Sequence, residues 1–86
     1  MMTPAALTRL TGINDFVLEQ LRSGLPAGDI IAQLQVLHRA SFTCRASTNT
    51  LRAGGITATC TWSETDGLLD AWRRNAMSRI LMAALT

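Results

Sequence analysis

Eighty-six residues, 48% hydrophobic and 16% charged, make one small domain with no room for a second core. The formal charge of +2 is too slight to name a partner, so any electrostatic role depends on where the charges cluster. No apolar run approaches the roughly 20 residues that cross a bilayer. The opening MMTPAALTRL lacks a basic segment followed by an apolar one, so no signal peptide is expected. Cys44 and Cys60 form no C-x-x-C pair and are expected as reduced, buried thiols of a cytoplasmic protein.

The first predicted element starts at Thr3-Pro4, a capping residue followed by a proline tolerated at the first helical position. It carries Ala6, Leu7 and Leu10 and stops at Thr11-Gly12. Asn14-Asp15 opens a second helix, with Asn14 as cap and Asp15 and Glu19 favouring its positive end. Its buried stripe is Ile13, Val17 and Leu21 with Phe16 beside it, and Gly24 supplies a left-handed C-terminal cap. A third helix begins at Leu25-Pro26, with Ile30, Ile31, Leu34 and Leu37 as its apolar face and His38-Arg39 at its negative end.

The middle of the chain admits two readings. SFTCRAS (41–47) and ITATCTW (56–62) both alternate apolar and polar residues, the second with strict period two and β-branched side chains. Joined through STNTLRAGG, whose Gly54-Gly55 can take positive φ, they form a hairpin with Cys44 and Cys60 on one face. The rival makes 43–53 a short helix ended by Gly54. Beyond it, Ser63 and Asp66 resemble a capping box. The long final helix, 65–85, has Leu69, Trp72, Ala76, Ile80 and Ala83 as its buried stripe, widened by Leu68, Met77 and Leu81. The expected fold is therefore mostly α (α+β): three to five helices, one short β element within 41–62, a hairpin on the favoured reading, and the C-terminal helix.

Residues 30–63 contain no carboxylate, yet they hold Arg39, Arg45, Arg52, the sole histidine His38 and six threonines: Thr43, Thr48, Thr50, Thr57, Thr59 and Thr61. Positive charge combined with short hydroxyl donors suits an anionic surface such as a phosphate backbone. All eight basic residues are arginine, which GC-rich coding bias explains more readily than selection for bidentate phosphate or carboxylate contacts does.

LEQLRSGLPAGDIIAQL followed by CRASTNTLRAGGI resembles a helix-turn-helix unit of the small DNA-binding type found on phages and plasmids. The resemblance implies that the third segment enters the major groove, with Arg45, Ser47, Asn49 and Arg52 touching bases or phosphates. This sequence departs from the pattern between Leu34 and Arg45, where the link is long and lacks the usual glycine. The alternative is that Leu25, Ile30, Leu34 and Leu51 are simply core. A two-stranded ribbon also fits a major groove, and a hairpin would place Arg45 with Thr43, Thr57, Thr59 and Thr61 on one exposed face.

Chemistry is poorly provided for. Zinc takes about four ligands at recognisable spacing, which Cys44, Cys60 and His38 do not supply. A thiol nucleophile wants a base and an orienting group. No phosphate-binding loop, dinucleotide fingerprint or nucleophile elbow is present, so neither enzymatic activity nor a cofactor is expected. Trp62, at a strand end, is the aromatic expected to be exposed for binding. The reading is a non-enzymatic DNA-binding regulator working through Arg39, Arg45, Ser47, Asn49, Arg52 and Trp62. The alternative is an inhibitor or adaptor docking the same centre on an acidic protein surface. A chain so apolar and so short is also expected to form a homodimer.

Overall fold

The computed structural model describes residues 3–61 and 65–85. Within them lie helices α1 (Pro4–Arg22) and α2 (Ala27–Leu37), strands β1 (Ser41–Arg45), β2 (Thr48–Ala53) and β3 (Ile56–Thr61), and helix α3 (Thr65–Ala84). The strands form an antiparallel meander in the order β1-β2-β3. This is an α+β fold of three helices and a three-stranded sheet, which corrects the expectation of three to five helices around a short hairpin.

Two differences account for the correction. The expected break at Thr11-Gly12 does not occur, and α1 runs through it. A glycine inside a helix costs about 1 kcal/mol, less than one continuous helix gains by burying Leu10, Ile13 and Val17 together. Asn14 is accordingly not a cap. It lies buried in mid-helix, its Nδ2 donating to Met77 Sδ at 3.1 Å. The expected cap at Thr3 does form, its hydroxyl accepting from Ala6 N. Gly24 (φ 85°) ends α1 in a Schellman arrangement, with Leu25 N–H returning to Gln20 O and Gly24 N–H to Leu21 O.

The second difference is that STNTLRAGG is neither a connection nor a helix: its TNTLRA is the central strand. Helix propensity of 48–50 is poor, while Asn49, Leu51 and Ala53 alternate with Thr48, Thr50 and Arg52 at period two. The sheet thus has two tight turns, Ala46-Ser47 and Gly54-Gly55.

The helices cover the inner face of the sheet, where the core lies. Leu10, Ile13, Val17, Ile30, Ile31 and Leu34 meet Leu51, Ala53, Ile56 and Ala58, with Leu68, Leu69, Trp72 and Ala76 from α3. Trp72 is fully buried and its indole Nε1 donates to both Ala53 O and Ile56 O, 3.2 Å each, tying α3 to the strand ends on either side of the glycine turn. Leu37, Met77 and Leu81, expected on apolar faces, are instead exposed. The expected cap at Ser63 lies outside the described residues.

Candidate nucleic-acid interface

Antiparallel pairing places directly opposed residues on the same face. The register therefore sorts each of the three strands into an inner and an outer set. Three rows point away from the helices: Ser41–Arg52–Thr57, Thr43–Thr50–Thr59 and Arg45–Thr48–Thr61. Those nine positions hold seven hydroxyls and two arginines, and neither a carboxylate nor an apolar side chain. All are exposed except the half-buried Thr50. The intervening rows, Phe42–Leu51–Ala58 and Cys44–Asn49–Cys60, face the helices.

Strand geometry sets the spacing of the outer face. Neighbouring rows on one face lie about 7 Å apart and neighbouring strands about 4.8 Å. Arg45 and Arg52 sit two rows and one strand apart, so their Cα atoms are separated by about 14 Å. Their Cα atoms bracket a span comparable to a major groove about 12 Å wide. Between them lie Thr43, Thr48 and Thr50, hydroxyls able to donate to phosphate or base acceptors.

Neither arginine forms an ion pair among the described residues. Among the described residues the one ion pair is Arg74 with Asp70, 3.7 Å apart on α3 and well exposed. Threonine on an outer strand face is explained by strand propensity alone; two arginines among the hydroxyls, with no ion pair among the described residues, are not.

The sequence-derived candidates separate on this frame. Arg45 and Arg52 share the outer face, and Ser47 stands exposed in the turn beside Arg45. Arg39 is exposed but lies off the sheet, in the left-handed residue (φ 56°) that lets Ala40 N–H bond Leu34 O after α2. Asn49 is 3% exposed and faces the helices between Cys44 and Cys60, away from any ligand on the outer face. Trp62 lies outside the described residues. Residues 47–52, which a helix-turn-helix unit would present as its third helix, are turn and strand. Any groove contact from them is made by a ribbon. Ser41, Thr48 and Thr50 join the surface only through the register, although period two in TNTLRA was the signal that could have placed the last two with Arg52.

The thiols are less sheltered than expected. Both belong to inner-face rows, yet Cys44 is exposed and Cys60 half-buried. Cys44 sits at the end of an edge strand whose only half-buried residue is Phe42, so little of α2 or α3 reaches it. Among the described residues no group of three His, Cys, Asp or Glu side chains is placed to hold a metal ion, and no helix is long and apolar enough to cross a membrane. No protein-family model, curated protein or solved structure matches the chain.

Proposed function

We propose that this protein is a small, non-enzymatic DNA-binding regulator of the cytoplasm and that the outer face of its sheet meets the DNA. The observation that carries this reading is the composition of that face: seven hydroxyls and two arginines without a carboxylate, on a chain whose six acidic residues all lie elsewhere. The β1–β2 hairpin is the element that enters the groove. It brings both arginines, its edge strand is exposed at every position but the half-buried Phe42, and a two-stranded ribbon has the width the major groove admits. Arg45 and Arg52 contact phosphates or guanine edges, and the threonines between them set the register. Arg39 and Ser47, exposed beyond the two ends of β1, extend the contact to neighbouring phosphates.

The test is a gel-shift titration of random duplex against salt. The wild-type protein retards duplex at low salt and loses affinity steeply as salt rises. Arg45→Ala with Arg52→Ala flattens the slope of log K against log salt by about 0.9 for each phosphate no longer neutralised. Retardation unchanged by the double substitution would remove the sheet from the interface. No retardation at any salt, with an acidic protein bound in its place, would transfer the same face to the adaptor reading.

A further inference from the structure

Helix α3 also reaches the outer edge of β3, the strand whose one neighbour in the sheet is β2. At that edge Asn75 Nδ2 donates to Thr57 O at 3.1 Å, tying the helix to the strand. Ser78 and Arg79 stand three and four residues further along α3, on the same side of the helix. Together they border a recess of about 460 Å³ whose walls include Gly55, Thr57, Asn75, Ser78, Arg79 and Met82.

The donor set of this recess is unlike that of its neighbours. Two other recesses along α3 each include Asp70, one of them with Asp66 as well. This one includes no carboxylate. Residues 71–86 contain no acidic residue, so Arg79 has no partner one turn away on its own helix. The one ion pair among the described residues belongs to Arg74 and Asp70. The helix dipole does not account for Arg79 either. Its effect is confined to the last turn, where α3 has no basic residue. Beside the guanidinium stand the exposed hydroxyls of Thr57 and Ser78, both able to donate. One uncompensated cation with two hydroxyl donors is the complement of an oxyanion.

We propose that this recess binds a phosphate group, with Arg79 supplying the charge and Ser78 and Thr57 the further hydrogen bonds. A guanidinium suits the task, because two of its N–H groups meet two phosphate oxygens at once. Thr57 joins the recess to the outer face of the sheet, where it closes the row Ser41–Arg52–Thr57. Arg52 is its directly paired neighbour on β2, about 5 Å away between Cα atoms. A duplex lying on that face passes its backbone from Arg52 to Arg79, and the bound phosphate is one of its own. That source rests on the DNA-binding reading above. The recess rests on its donors alone, and a free phosphate monoester would use the same contacts.

Gel-shift titration of random duplex against salt tests the proposal. Arg79 is exposed, so Arg79→Gln keeps the wild-type circular-dichroism melt. It should lower the slope of log K against log salt by about 0.9, the loss of one phosphate contact. Arg79→Lys keeps the slope, because the charge remains, but binds more weakly for want of the paired N–H contact. Arg74→Gln removes the same charge from outside the recess and leaves the slope unchanged. A duplex complex whose slope ignores Arg79→Gln would overturn the proposal. Equal losses from Arg74→Gln and Arg79→Gln would overturn it too, since the effect would then be one of net charge. If no duplex binds at any salt, the DNA-binding reading fails and the recess is decided separately. Isotope-labelled protein is then titrated with inorganic phosphate, against chloride at equal ionic strength, and followed by NMR. Shifts of the Gly55, Thr57, Ser78 and Arg79 amides that vanish in Arg79→Gln would support the site, with a free phosphate compound as its ligand. No such shifts would overturn it.

Discussion

The two hairpin turns of the sheet are both two residues long and lie at opposite ends of β2, yet their surroundings have little in common. Gly54-Gly55 is packed into the molecule. The carbonyls on either side of it, Ala53 O and Ile56 O, both accept from the buried Trp72 indole. A Cβ at Gly54 would meet Leu10 Cδ1 at 3.1 Å and Ile13 Cδ1 at 3.2 Å. Ala46-Ser47 stands in solvent, with Ala46 holding a left-handed φ of 52° that the protein tolerates without glycine. The contrast teaches how one small sheet serves two purposes. Its glycine end is anchored by α1 and α3, while the other end, with Arg45, Ser47 and Cys44, stands exposed.

Removing the anchor should have the largest effect. Trp72→Ala empties a fully buried site and releases two carbonyls, and should lower stability by about 3–5 kcal/mol in urea unfolding. A loss under about 1 kcal/mol would mean the glycine turn does not depend on α3.

Gly54→Ala strikes the same end from the backbone. A left-handed alanine costs about 1–2 kcal/mol, and crowding of Leu10 and Ile13 adds to it. A stiffer unfolded chain offsets about 0.4–1 kcal/mol. The net loss should be about 1–2 kcal/mol. At the free end the reverse change, Ala46→Gly, relieves the same strain against a comparable entropic loss, and the midpoint should move by less than about 1 kcal/mol towards stability. If the two substitutions shift the midpoint alike, the ends are not anchored differently.

Arg45→Ala with Arg52→Ala should change stability least, by about 0.5 kcal/mol or less, because both side chains are exposed and no ion pair of either occurs among the described residues. A drop of 2 kcal/mol or more, on the order of a truncated core side chain, would make the arginines structural. The thiols sharpen the comparison without altering stability: Cys44, exposed on the free hairpin, should be labelled before the half-buried Cys60, and the opposite order would place the open end at β3.

Much of this was legible in the chain itself. Local rules were enough wherever one element's own residues decide the outcome. Thr3-Pro4 and Gly24 bounded α1, the period of ITATCTW made β3, and the spacing of Leu69, Trp72 and Ala76 gave the buried stripe of α3. The acid-free arginine and threonine cluster was equally plain, because it depends on composition alone. Three matters were decided only in the assembled structure. Whether Gly12 breaks α1 turns on a cost of about 1 kcal/mol set against burial by other elements. Whether 48–53 is a helix, a link or a strand turns on strands to either side supplying its hydrogen bonds, which the segment cannot provide for itself. Which polar residues share a surface turns on the register. That register united Arg45 and Arg52 with seven hydroxyls and turned Asn49 inward between two cysteines. Capping and periodicity are local energies that a sequence states outright, while pairing and burial are energies between segments and take their values only when the segments have met.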